Sequence, residues 1–208
     1  MGSIRTRPSA RSFPRALAAP LMLAAISVAL ASGFRVVAPS EANYRVREQL
    51  AGITLPGDVV GTTTAISGLV RFAEVGALVP GARVVVELEG LTSGNAQRDD
   101  DVGRDLLQTD RFPAAVFVPT AVSGLPAPLP SEGVYEVQIE GELTLREVTR
   151  PVVWRGTATF DGDAARLEAA TTFTFGDFDL PRPRVALVLT VVDEITLEVR
   201  LSLERTAD

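Results

Sequence analysis

From Gly133 to Leu145, hydrophobic and polar residues alternate without losing phase. Tyr135, Val137, Ile139, Leu143 and Leu145 fall on one face, and Glu136, Gln138, Glu140, Glu142 and Thr144 on the other. The pattern returns near the C-terminus, where Ile195, Leu197, Val199, Leu201 and Leu203 alternate with Glu194, Thr196, Glu198, Arg200, Ser202 and Glu204. A period of two puts successive side chains on opposite faces of an extended chain, so both segments read as half-buried strands. Further candidates are Val60–Phe72, Arg83–Glu89, Ala115–Val122, Val152–Phe160, Arg166–Phe173 and Val185–Val192, about eight strands in all. Pro80-Gly81, the stretch from Pro126 to Gly133 and Asp161-Gly162-Asp163 supply turns between them. No helix of crossover length separates the candidates, which predicts an antiparallel sheet.

One helix is expected, from about Asn95 to Gln108. Asp99, Asp100 and Asp101 suit the positive end of a helix dipole, Val102, Leu106 and Leu107 form an apolar stripe, and Pro113 lies beyond the end. A sheet of this many strands with one apolar face has two outcomes. It closes on itself as a barrel wide enough for one small ligand, or it packs against a second sheet as a filled sandwich. Periodicity alone leaves both open.

Ahead of the strands lies a different pattern. Arg5, Arg7, Arg11 and Arg15 precede an apolar run from Ala16 to Ala31, extendable to Phe34 and interrupted only by Pro20, Ser27 and Ser32. This is the charge order of an export signal, with Ala29-Leu30-Ala31 as a small-x-small cleavage site. The run is also just long enough to span a bilayer, at about 20 residues. Residues 1–34 are therefore expected to be an N-terminal hydrophobic helix, either a cleaved signal peptide or a membrane anchor. Residues 35–43 follow as a linker, and 44–208 form the body. That body is expected outside the cytoplasm, in the periplasm or at the cell surface, and touches the membrane through the N-terminal segment if that segment stays attached.

Charge and composition narrow the chemistry. The net charge is −6, but 15 arginines face 26 acidic residues after position 35, a balance of −11 that repels phosphate backbones and makes nucleic acid an unsuitable partner. The 208 residues include no cysteine, histidine or lysine, so all 20 basic residues are arginine. Disulfides, thiolate nucleophiles, imidazole bases and Schiff-base lysines are thereby excluded. Asp99–Asp101 and Asp177/Asp179 are conceivable acid pairs for glycoside hydrolysis, but no spacing forces two carboxylates across a cleft. No calcium-loop pattern is present either. The composition predicts a binding protein with no catalytic residues, no metal and no cofactor.

Three stretches resemble the YceI-like family of extracytoplasmic, lipocalin-like barrels that bind polyisoprenoid lipids. Arg98-Asp99, followed by the run from Leu106 to Phe117 with Phe112-Pro113 inside it, is similar to the family's Arg-Asp, helix and aromatic-Pro entry into a strand. The run Gly141-Glu142-Leu143-Thr144-Leu145-Arg146-Glu147-Val148-Thr149-Arg150-Pro151 resembles the family's Gly-x-Leu-Thr-x-His-Gly-Val-Thr-Lys/Arg-Pro signature. Phe173-Thr174-Phe175-Gly176-Asp177-Phe178, with the later Asp193-Glu194-Ile195-Thr196-Leu197, looks like the penultimate segment and closing strand. The likeness covers about Tyr44 to Leu203. It departs where Arg146-Glu147 replace His-Gly and where a histidine common after the Arg-Asp pair is missing. It implies an all-β, antiparallel lipocalin-like barrel of about eight strands with one short helix, and a binder of a long isoprenoid such as a polyprenyl phosphate or a quinone tail.

In such a barrel the apolar strand faces turn inward. The cavity candidates are Phe112, Phe117, Tyr135, Val137, Ile139, Leu143, Trp154, Phe160, Leu197 and Val199. Phe173, Phe175 and Phe178 join them, as an aromatic lid or equally as a structural plug. Arg98 and Arg111 flank the helix and are candidates for a headgroup, although pairing with neighbouring aspartates explains them as well. The rival function is an exported β-domain with a filled core that acts in adhesion or protein interaction. A hollow interior distinguishes the two.

Overall fold

The computed structural model describes residues 32–50, 57–73, 76–182 and 188–206. Among the described residues there are nine strands: β1 Ser32–Leu50, β2 Gly57–Thr63, β3 Ile66–Phe72, β4 Arg83–Glu87, β5 Ala114–Ser123, β6 Glu132–Leu145, β7 Val148–Asp161, β8 Ala164–Phe173 and β9 Val188–Thr206. All neighbours pair antiparallel, and β1 joins β9 to close the sheet into a barrel. β2 and β3 lie end to end along the same side of β1, at Ala42–Glu48 and Ser32–Arg35 respectively. Nine strands therefore occupy eight positions around the barrel. The interval Val60–Phe72, expected as one strand, is one bent ribbon in two segments.

The largest departure from expectation lies at the N-terminal side. Residues 35–43, expected as a linker, are strand, and so are Ser32, Gly33 and Phe34 at the end of the apolar run. Their backbone groups are satisfied by β9, from Gly33↔Thr206 to Val37↔Ser202 and again from Glu41↔Arg200. Between these two stretches β1 bulges at Pro39 and Ser40. There Ser202 donates its backbone N–H to the Ser40 hydroxyl at 3.0 Å and its own hydroxyl to the Pro39 carbonyl at 2.6 Å. The bulge adds two residues to one side of the ladder, so Phe34, Val36, Ala42, Tyr44 and Val46 keep one phase and all line the interior. The expected N-terminal helix, signal or anchor from residue 1 to Ala31 lies outside the described residues. Among those described, no helix is long and apolar enough to cross a membrane.

Elsewhere the strand pattern predicts the facing. Val137, Leu143 and Leu145 of β6, Val152, Trp154, Ala158 and Phe160 of β7, and Ile195 and Leu201 of β9 are buried. β9 also absorbs the part of the Val185–Val192 candidate that is described. Gly156 allows β7 and β8 to meet closely. A Cβ on it would stand 1.9 Å from the Glu168 carbonyl oxygen, so only glycine fits.

The connection between β4 and β5 carries the helix. Asn95 caps α1, Ala96–Asp101, by accepting the Arg98 N–H at 3.1 Å. The chain then widens into a π-helical turn, Val102–Leu107, and stops at Gln108 in the left-handed conformation. Thr62 and Thr92 exchange two backbone hydrogen bonds, which tie this connection to β2. The β6–β7 hairpin tip holds it from the other side, with Arg146 donating to the Leu106 carbonyl at 3.4 Å. Arg146 stands at φ +55, so the position where the family has histidine tolerates a left-handed arginine that doubles as a strut.

Candidate functional site

Inside the barrel is a cavity of about 900 Å³. It runs between two apolar clusters. One gathers Leu107, Leu143, Trp154, Phe173, Phe175 and Ile195 at the helix end, and the other gathers Phe34, Phe72, Val137, Ala158 and Phe160 at the far end. Leu167 packs against both, so the interior is continuous. The barrel is neither a filled core nor a two-sheet sandwich.

Loop residues cover part of the far end. Leu125 and Leu129, from the β5–β6 loop, fold over it and line the cavity. Arg205 ties this loop to the barrel, with its guanidinium 4.8 Å from the Phe34 ring and donating to the Pro130 carbonyl at 2.9 Å. Phe160 is met edge-on by Phe34 and Tyr135 at 5.8 and 5.9 Å.

The helix end is where polar groups reach the cavity. Arg98, Asp101 and Asp105 of the helical segment line it, together with Glu48 at the end of β1 and Arg182 after Pro181. Arg182 is ion-paired with Asp193. Arg98 makes no ion pair within 4 Å among the described residues, and donates one long hydrogen bond to the Ser93 hydroxyl at 3.5 Å. Tyr44 lies beside it, over Gly61, whose Cβ would fall 2.1 Å from the Tyr44 ring; the glycine makes room for the aromatic. Burial pushes the Tyr44 phenol above its ordinary value, against the lowering pull of Arg98.

Ten of the thirteen expected apolar candidates line the cavity: Phe117, Val137, Ile139, Leu143, Trp154, Phe160, Phe173, Phe175, Leu197 and Val199. Three do not. Phe112 lies outside, under the Arg111 guanidinium at 4.9 Å. Tyr135 backs Phe160 and turns its hydroxyl to the Glu132 carbonyl at 3.2 Å. Phe178 is wholly buried behind Phe173, with ring centroids 4.6 Å apart, and serves as plug rather than lid. Arg98 reaches the cavity, but Arg111 does not: it is exposed and paired with Glu147 at 3.5 Å. Sequence reasoning missed the β1 and β3 lining, Phe34, Tyr44, Val70 and Phe72 among it. The even-numbered phase through β1 was the available signal.

The acids considered for catalysis have structural partners. Asp99 accepts from the Ser93 backbone and hydroxyl and from Thr92, and these hydrogen bonds hold its carboxyl below the usual range. Asp177 closes a capping box with Thr174 on the turn Phe175–Phe178, and the Thr174 N–H and hydroxyl lower it likewise. Among the described residues no three acidic side chains are grouped as a metal site. A lowered carboxyl stabilises the fold above its ordinary value, 3.8 for both groups, and loses that contribution as pH falls through the lowered one. Urea stability is therefore expected to hold level down to about pH 5 and to fall below about pH 4. Asp177→Asn should flatten that fall, and a level curve to pH 2 would contradict the assignment.

Residues 36–203 match the model of the YceI-like domain. The chain belongs to the YceI-like family. Its barrel is similar to a polyisoprenoid-binding domain from Saccharophagus degradans implicated in plant cell wall breakdown, with a TM-score of 0.64 at 14% identity, covering 85% of this chain and 99% of that one. It is also similar to BcnA of Burkholderia cenocepacia, with a TM-score of 0.59 at 20% identity, covering 80% and 98%. Among curated sequences, a UPF0312 protein of Pseudomonas putida strain W619 is 33% identical over 113 residues, 49% of this chain and 54% of that protein. This YceI-like chain thus spans about half the length of the curated relatives it matches.

Proposed function

We propose that this YceI-like protein binds a long-chain polyisoprenoid lipid, of polyprenyl phosphate or quinone type, and sequesters or carries it outside the cytoplasm. The observation that carries the reading is the closed barrel with a continuous apolar cavity of about 900 Å³. At about 30 Å³ per methylene-sized group, the share a water takes in the liquid, that space holds about 30 carbons. Burial contributes about 0.8 kcal/mol per methylene, so a few isoprene units reach micromolar affinity, about −8 kcal/mol, after association costs. No reacting group is required, which suits a chain with neither histidine, cysteine nor lysine. The structural likeness to a polyisoprenoid-binding domain supports the ligand class. The arginine-flanked apolar run before β1 supports export, as a cleaved signal or as a membrane anchor.

Mass spectrometry of organic extracts from the purified full chain tests the reading. The expected result is a prenyl lipid at one molecule per chain. Repeated recovery of empty protein, combined with no uptake of added prenyl lipid, would overturn it and leave a protein-interaction role.

A further inference from the structure

We infer that the barrel rests on a lipid bilayer with its far rim, formed by the β3–β4 and β5–β6 loops, while the helix end points away. The inference goes beyond the prenyl reading, because it concerns the outer surface and needs no bound ligand.

The two ends differ first in charge. The helical segment carries Asp99, Asp100, Asp101 and Asp105 against Arg98 and Arg104, and Glu48 lines the cavity beside them. An anionic lipid surface repels that end. On the far rim, neither Gly76–Ala82 nor Ser123–Ser131 contains a charged residue. Glu74, nearer β3, lies outside the described residues. Arg71 and Arg83 bracket the first loop from the ends of β3 and β4, a placement that suits the lipid phosphate layer. The acids of this rim, Glu132, Asp161, Asp163 and Glu204, lie on the strands and turn from β6 to β9, away from the first loop.

The loops are apolar on both sides. Leu125 and Leu129 line the cavity, and Leu78 packs against the same cluster. Ala77, Pro80, Pro126, Ala127 and Pro128 are exposed. The two loops touch, since a Cβ on Gly76 would stand 3.4 Å from that of Ala127. Val134, just inside β6, is 67% exposed, the most of any large apolar side chain among the described residues. A continuous apolar surface of this kind marks contact with protein or lipid.

Two observations select lipid. Entry into a bilayer surface requires that backbone groups be already satisfied. Ala73 and Val79 donate to the Ala77 and Arg71 carbonyls, both at 2.8 Å, and Pro80, Pro126, Pro128 and Pro130 have no N–H to leave unpaired. The second is connectivity. β1 opens on this rim, where Ser32 pairs with Phe72, directly after the apolar run Ala16–Ala31 that the sequence reads as signal or anchor. Docking by this rim sets Leu125 and Leu129, and with them the cavity, against the bilayer.

The chain has no cysteine, so Ala77→Cys, Ala127→Cys and, at the helix end, Ala96→Cys each create one site for a nitrobenzoxadiazole dye. The labelled full chain is mixed with vesicles of phosphatidylethanolamine and phosphatidylglycerol that contain phosphatidylcholine spin-labelled in its acyl chain. The dyes at Ala77 and Ala127 are expected to be quenched, and the dye at Ala96 is not. Adding Ala77→Asp and Val134→Asp to the Ala127→Cys chain should lower the docked fraction at least about tenfold, because each charge near an anionic surface counts about fivefold. Circular dichroism checks that the variants fold. Undiminished quenching in the aspartate variant would show that the N-terminal run alone holds the chain on the vesicle, and would overturn the inference. Quenching at Ala96, or at none of the three positions, would overturn it too. So would a response of the Ala127 dye to protein concentration without vesicles, which would assign the rim to a second copy of the chain.

Discussion

Replacing Ala158 and Ala169 together by tryptophan should abolish prenyl binding while leaving the barrel folded. These alanines face inward from β7 and β8, on adjacent strands, and both line the cavity. Each is small where its neighbours Trp154, Phe160 and Phe173 are large, so the pair keeps the waist of the cavity open. Two indoles there would extend into empty space rather than into packed side chains, which avoids the strain that usually accompanies overpacking. Excluding even four carbons of the ligand costs about 3 kcal/mol, or about 100-fold in Kd. The measurement is uptake of labelled geranylgeraniol, alongside circular dichroism and a urea titration. Unaltered uptake in a folded double variant would mean that prenyl chains bind elsewhere.

The second large effect is on stability. Phe178→Ala is expected to cost about 3–5 kcal/mol, the range for a fully buried aromatic truncated to alanine. Phe178 is 0% exposed, and its ring lies 4.6 Å from that of Phe173, which itself lines the cavity. Truncation would open a void under the turn Phe175–Phe178, beside the Phe173 ring. A loss of that size is a large share of the 5–15 kcal/mol typical of a domain. The midpoint of urea unfolding reads it directly, and a shift worth less than about 1 kcal/mol would show that Phe178 is not the plug described here.

How far the sequence discloses this molecule depends on whether each residue's neighbours share its phase. β6, β7 and β9 are legible because most alternate residues are apolar and most of the intervening ones are polar, with Val134, Val153 and Val192 as exceptions. Trp154 and Ala158 are placed correctly for that reason alone. β1 is hidden because its first residues continue the apolar N-terminal run, although the even-numbered apolar phase carries through the two-residue bulge at Pro39–Ser40. With β1 read as leader and linker, Phe34 and Tyr44 dropped out of the predicted lining. Phe112, Tyr135 and Phe178 failed differently. Each is aromatic, and hydrophobicity does not say whether a ring faces the hollow, backs a ring that does, as Tyr135 and Phe178 do, or lies outside under a guanidinium, as Phe112 does. Arg98 and Arg111 look equivalent in sequence, yet the left-handed turn at Gln108 separates them, leaving one at the mouth and the other on the outer surface.

Trp154 is the chain's single tryptophan, and it borders the cavity with Phe117 edge-on at 5.9 Å. The protein therefore contains its own optical probe: emission excited at the indole band originates from the wall of the cavity and nowhere else. A lipid that enters changes the polarity that this one fluorophore senses, and a redox-active ring within reach quenches it. Occupancy can thus be followed in real time without attaching a dye.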